Sequence, residues 1–271
     1  MRMNFRGIVP IGALLLAGVV GCGGTNASVG VSVPVAVLAT NGPGGTVPVR
    51  ASTTLAQLKA LLFVTGSVPS DCPRSAVDPV CWPNVEPPPS SLLVALPTWT
   101  GISPAPRLSA TLVGNQLSLV QSFPTSESNS ARAPAALELA VVPLKVLPKS
   151  VITVIAPPWD QPPLYGRALV DLRDPLPADG DLASAVATLS VAADAAVKDA
   201  QSRENFKAWD FDAFGVMRWP DDSLGCSGVK VSDSNPVEGY VMFLVKEGLP
   251  VSRELEYHTG GGRTVFCGFS R

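Results

Sequence analysis

A short basic head, Met1-Arg2-Met3-Asn4-Phe5-Arg6, runs into an apolar body from Gly7 to Val20 that closes on Gly21 and Cys22. This stretch constrains the fold more than any other, because it decides the compartment in which the rest of the chain folds. The apolar body falls short of the ~20 residues a spanning helix needs, and its positive head and small closing residue are those of a secretory signal. Residues 1–21 are therefore expected to be removed. A chain that folds after export meets an oxidising compartment, where cysteines pair as disulfides instead of persisting as thiols.

The residues Val19-Val20-Gly21-Cys22 resemble the lipobox of bacterial lipoproteins, in which an aliphatic residue and two short ones precede a cysteine. The resemblance implies a diacylglycerol on the Cys22 sulfur, cleavage just before it and acylation, palmitate included, of the new amino group. Each buried methylene contributes about 0.8 kcal/mol, so several acyl chains hold a protein to a bilayer almost permanently. The expected address is a bacterial membrane, at the cell surface or on its periplasmic face.

Of the five cysteines, four remain once Cys22 is assigned to lipid. Cys72 and Cys81 bracket one proline-rich loop, and Cys226 and Cys267 both lie near the end of the chain, so the expected pairs are Cys72–Cys81 and Cys226–Cys267. On the chain-entropy account the longer loop stabilises by about 3–4 kcal/mol when closed. The sequence has one histidine and no Cys-x-x-Cys pair, which leaves neither a metal site nor a cofactor expected. Charged residues make up 15%, and loss of Arg2 and Arg6 moves the formal charge from −2 to −4. With no basic block, the cationic footprint of a nucleic-acid binder is missing.

Residues 22–50 are small and polar, broken by Asn41-Gly42-Pro43-Gly44-Gly45, and read as a lipid-anchored tether carrying at most one strand. Leu55, Leu58, Leu61 and Leu62 fit a helical face, while Leu61-Leu62-Phe63-Val64 equally fits a buried strand, and periodicity leaves the two open. The prolines between Val68 and Pro89 exclude a helix there. Leu108, Ala110 and Leu112, then Leu117 and Leu119, alternate on either side of Gly114-Asn115, a hairpin signal. Further short runs at Leu137–Val141, Val151–Ala156 and Leu164–Leu172 give residues 51–174 the pattern of a β-sandwich, immunoglobulin-like in the broad sense.

Pro175 to Gly180 reads as a linker, after which the period becomes helical: Leu182, Val186, Leu189, Ala193 and Val197 form one stripe from about Asp181 to Gln201. Three strand-like runs follow, Ala213–Trp219, Gly239–Val245 and Arg253–Thr259, with Gly260-Gly261-Gly262 as a hairpin turn before Thr264-Val265-Phe266. Residues 181–271 thus read as a helix packed on an antiparallel sheet, a small α+β module. Its residues Trp219-Pro220-Asp221-Asp222-Ser223-Leu224-Gly225-Cys226, Tyr240, Tyr257-His258-Thr259 and Cys267 resemble a small domain of uncharacterised secreted bacterial proteins. Leu255 and Glu256 stand where that pattern commonly has a second tyrosine, and Ser227 to Pro236 is longer than its usual Pro-Gly. The resemblance implies a fold and no catalytic role.

His258 is the sole candidate for Ser-His or Cys-His chemistry. Alternation puts it on one strand face with Glu254 and Glu256, opposite Leu255 and Tyr257, and that face is expected to be solvated, or turned toward the helix if the register slips. Asp210, Asp212, Asp221 and Asp222 are the densest carboxylates, but their spacing fits neither a glycosidase pair nor a calcium loop. The expected function is accordingly a non-enzymatic binding or structural module, with an envelope protein or a glycan as partner. The rival expectation is an envelope hydrolase using His258 with Ser223 or Ser227, or the four aspartates.

Overall fold

A computed structural model describes residues 30–41, 49–65, 85–98, 107–122, 136–156, 167–175, 181–246 and 253–270. Cys22, Cys72, Cys81, Trp82, Trp99, Trp159 and most of the linker expected at 175–180 lie outside the described residues. The described chain is mostly β, with a large mixed sheet, a smaller sheet and two helices.

The expected hairpin joins β5 (Arg107–Val113) to β6 (Gln116–Ser122) through Gly114 and Asn115. Gly114 holds φ +56° at the first turn position, where a side chain would be strained. Strand β6 continues in parallel to β8 (Val151–Ile155), which pairs antiparallel with β9 (Arg167–Asp171). Facing these is a four-stranded antiparallel sheet in the order β2 (Ala36–Asn41), β7 (Ala136–Pro143), β4 (Ser91–Thr98), β3 (Arg50–Ser52). Leu92, Val94, Leu96, Ala140 and Val142 of this sheet interlock with Ala110, Leu117, Leu119, Ile152, Val154, Ala168 and Val170 of the other. This is the core of a β-sandwich.

The segment expected as a tether contributes one strand to each sheet. Besides β2, β1 (Val31–Val33) pairs with β5 at the edge of the large sheet, and Val33 is buried in the sandwich core. Edge strands present unpaired backbone donors and acceptors, and a valine-rich segment of extended chain satisfies them.

Residues 55–64 resolve as a helix, α1 (Leu55–Val64), capped by the Thr54 hydroxyl, which accepts from the Gln57 N–H at 3.2 Å. The reason is non-local. Leu58 and Leu62 cover Leu137, Leu139 and Val141 on the outer face of β7, so that strand is buried on both sides, while Ala60 and Leu61 turn toward the second helix.

That second helix, α2 (Leu182–Glu204), begins where Asp181 accepts from the Ala183 and Ser184 N–H groups, and ends at Asn205 in a left-handed conformation, φ +49°. Its buried stripe is Ala185, Leu189, Ala192, Ala193, Ala196 and Ala200, small enough for close approach to the sheet beneath. Strand β10 (Trp209–Trp219) follows and pairs in parallel with β9. Parallel neighbours need a long crossover connection, and α2 supplies it. Backbone pairing therefore crosses from the segment expected as a sandwich into the segment expected as a module. Strands β11 (Val237–Lys246), β12 (Leu255–Gly260) and β13 (Arg263–Phe269) complete a nine-stranded sheet by antiparallel pairing. No helix among the described residues is long and apolar enough to cross a membrane.

Asp171, at the end of β9, clamps this junction. Its carboxylate accepts from the Arg173 backbone and guanidinium, at 3.0, 2.9 and 2.5 Å, and from the Arg218 N–H of β10 at 3.3 Å. Burial alone would raise the Asp171 carboxyl, but these hydrogen bonds outweigh it and hold the group below its ordinary value. A depressed carboxyl stabilises the fold above about pH 4 and loses that contribution as pH falls through the lower folded value. Asp171→Asn is expected to cost about 1–3 kcal/mol in urea unfolding at neutral pH. Near pH 2 the difference from the parent should shrink; an equal deficit at both pH values would assign the clamp to shape rather than charge.

Candidate functional site

The C-terminal strands have two faces, and α2 takes one. On the other lies a second apolar patch of Ala213, Met217, Trp219, Leu224, Val241 and Phe243. At its Trp219 end the cover is a flap made by the residues after Trp219. Pro220, lacking an N–H, ends the pairing of β10. Asp221 then turns the chain by accepting from the Ser223 N–H at 2.9 Å and from its hydroxyl at 2.5 Å. Leu224 and Gly225 follow with φ of +55° and +70°, and the chain folds back over the sheet so that Leu224 is 1% exposed. Gly225 sits directly against the Trp219 ring, which a Cβ would meet at 3.4 Å.

His258 lies under this flap. Its ring stacks on Trp219, with centroids 4.3 Å apart and planes inclined by 19°. Nδ1 is 2.6 Å from the Leu224 carbonyl oxygen, which only accepts, so Nδ1 carries a proton there; Nε2 is 2.7 Å from Glu256 Oε1. The Trp219 indole N–H donates to the Thr259 carbonyl at 2.8 Å and fixes the ring that His258 rests on. Cys226, two residues past Leu224 on the flap, forms the expected disulfide with Cys267 of β13, the two Cα atoms 5.0 Å apart. Cys267 falls where the β12–β13 register slips: Glu256 pairs with Gly268 and Tyr257 with Phe266, so the cysteine is the extra residue of a β-bulge.

The face carrying His258 is thus buried, contrary to the solvated expectation: His258 is 7% exposed and Glu254 fully buried. The alternation was right and the surroundings were not, because a flap whose Leu224 lies 34 residues upstream covers His258. Glu254 accepts from Arg167 at 2.5 Å and from the Ser270 hydroxyl at 2.7 Å. Tyr257, on the opposite face, donates its hydroxyl to Asp199 of α2 at 2.8 Å. Burial and the neighbouring carboxylate push its phenol well above the usual range.

The four aspartates do not assemble. Asp210 and Asp212 stand at the start of β10 and Asp221 and Asp222 beyond its end, about 30 Å away along an extended strand. Asp210 is exposed, whereas Asp212 is buried 3.8 Å from Arg167 and faces Arg50. Asp222 accepts from the Ser232 N–H at 2.8 Å and pairs with Arg263 at 3.6 Å, so it fastens the flap. The dyads expected of a hydrolase are not made either: the Ser223 hydroxyl is given to Asp221, Ser227 is exposed on the flap, and both His258 nitrogens are engaged elsewhere.

What the geometry does bring together is a group that sequence spacing did not reveal. Ligand atoms of Cys226, His258 and Cys267 all lie within 4.8 Å of one another. Histidine and the two cysteines are 32 and 9 positions apart in sequence, and only the flap and the bulge make them neighbours. Compared with known proteins, the chain matches no family model, no curated protein and no solved structure.

The flap depends on Trp219. Trp219→Ala is expected to cost about 3–5 kcal/mol in equilibrium unfolding. Trp219→Phe keeps an aromatic ring under His258 but removes the indole N–H, and should cost only about 1–2 kcal/mol.

Proposed function

We propose that this chain is an exported lipoprotein, anchored through Cys22, whose folded part acts as a non-enzymatic binding or structural module on a bacterial membrane. The observation that carries the reading is the engagement of His258, the sole histidine, with both ring nitrogens on Leu224 and Glu256 and one ring face on Trp219. A general base must meet the proton it takes, and this ring is turned into the protein. The carboxylates that would serve instead are separated or committed to turns and ion pairs. The partner is a protein or a glycan of the envelope. A second disulfide, Cys72–Cys81, would close the proline-rich loop between them.

Metabolic labelling with palmitate is expected to mark the protein and to fail in Cys22→Ser, with peptide mapping without reduction returning a Cys72–Cys81 peptide. Crosslinking in intact cells should then capture one recurrent envelope component. An unlabelled parent chain would refute the anchor, and a hydrolytic activity abolished by His258→Ala with the fold retained would refute the non-enzymatic reading.

A further inference from the structure

We propose that the Cys226, His258 and Cys267 cluster is a redox-gated site for a thiophilic divalent cation of the zinc type, closed in the disulfide form and open in the dithiol form. The three donor atoms already lie within 4.8 Å of one another. Two thiolates at about 2.3 Å from a tetrahedral ion stand about 3.8 Å apart, and an imidazole nitrogen at about 2.0 Å completes three of its four positions. Rotation of the two cysteine side chains is enough to reach that spacing from the present one. The Cα separation of 5.0 Å need not change.

The histidine is prepared for this role. Cys226 Sγ and His258 Nδ1 both lie against the Leu224 carbonyl oxygen, at 3.9 and 2.6 Å, so Nδ1 is the ring nitrogen on the sulfur side. Binding of the ion requires the Nδ1 proton, now donated to the Leu224 carbonyl, to leave to solvent and that carbonyl to swing off the ring with the loosened flap. Nδ1 then gives its lone pair to the metal, while the ring's remaining proton sits on Nε2, donated to Glu256 Oε1 at its present 2.7 Å. A carboxylate that holds the far nitrogen of a ligating histidine is the usual outer partner of such sites and fixes both ring orientation and tautomer. Trp219 restrains the ring plane from one side.

Access to the bond is one-sided. Cys226 is 6% exposed, while Cys267 is only partly covered, so a dithiol reductant attacks Cys267 Sγ. A new bond forms from the reductant's sulfur to Cys267, the Cys226–Cys267 bond breaks, and its electron pair leaves on Cys226 Sγ beside His258. The reductant's second thiolate then releases Cys267 and becomes part of the reductant's own disulfide. The protein gains two electrons and two protons, and the cation afterwards displaces those two thiol protons and the Nδ1 proton of His258 to solvent. Disulfide and ion exclude each other because both use the same pair of sulfurs.

The test uses the full chain with Cys22, Cys72 and Cys81 replaced by serine, which makes its outcome independent of the lipid anchor. After anaerobic reduction with a phosphine and removal of the reductant, Co²⁺ is titrated as a spectroscopic stand-in for Zn²⁺. One equivalent should give the visible bands of a tetrahedral site and thiolate-to-metal charge transfer, and the oxidised chain should give neither. Cys267→Ser should abolish the signal. His258→Gln should weaken affinity at least tenfold, and Glu256→Gln by about 10- to 100-fold, with near-ultraviolet circular dichroism checking the fold of each. Absence of the bands in the reduced parent overturns the proposal, as does undiminished affinity in a folded His258→Gln. A reduced chain that unfolds and is not refolded by the ion overturns it equally.

Discussion

Four residues of parallel pairing, Arg167–Val170 against Ala213–Val216, carry the large sheet out of the sandwich and into the C-terminal strands. Close approach is built into the pairing, since a Cβ at Gly215 would stand 2.3 Å from the Leu169 carbonyl oxygen. Everything beyond depends on it. Because β10 extends a sheet that already has its neighbours in place, β11, β12 and β13 add by simple antiparallel pairing, and both their faces need covering. The Ala-rich stripe of α2 takes one face and the flap after Trp219 takes the other. The buried cluster of His258 with the two cysteines exists only because the second face is covered by a polar turn instead of another helix.

Charges buried near this junction add constraint more than net stability. Arg50 on β3 is fully buried and donates to the Val49 and Phe211 carbonyls, both at 3.0 Å, so it bridges the small sheet to β10. Burial lowers its guanidinium to about 10 and the attraction of Asp212 works against that fall. Arg167 reaches Asp212 and Glu254 together, tying β9 to β10 and to the approach of β12. Replacing a buried ionic set by apolar residues is often neutral or stabilising, but deleting one member leaves an uncompensated charge and costs about 3–5 kcal/mol. Such a set selects one register among the several that an apolar strand would accept.

Much of this was legible from local pattern. The Gly114-Asn115 hairpin, the helix after Asp181, the C-terminal strands and the Cys226–Cys267 bond follow from alternation, helical periodicity, turn residues and cysteine position. What stayed hidden was non-local. A strand declares that it has two faces but not what lies over each, so His258 read as solvated when Leu224 and Trp219 cover it. Leu55–Val64 was undecidable alone, because its two apolar sides answer to two different surfaces, β7 and α2. The valines at 31–38 looked like tether because a lone strand carries no signal of the edge that will accept it. Arg50 gave no sign either: one polar residue in a short apolar run reads as an outward position, and its burial follows from the meeting of two sheets.

The flap shows how a small amount of covalent and polar structure controls a buried face. Its apolar hold is narrow: Leu224 is buried, but Gly225, Ser227, Gly228 and Lys230 to Pro236 are exposed. Its fastening is therefore the Asp221 and Asp222 turn bonds, Arg263 at the rim and the disulfide at Cys226. The bulge at Cys267 matters here, because the extra residue is the one whose loss of cross-strand pairing frees it to aim at the flap. Opening the disulfide would leave the polar turn and Leu224 to hold the cover, and these lie on the Trp219 side, nearest His258. The histidine would keep its contacts with Trp219 and Glu256 and exchange only the Leu224 carbonyl, while the two sulfurs gain freedom, which is the asymmetry a site with one fixed and two adjustable donors requires.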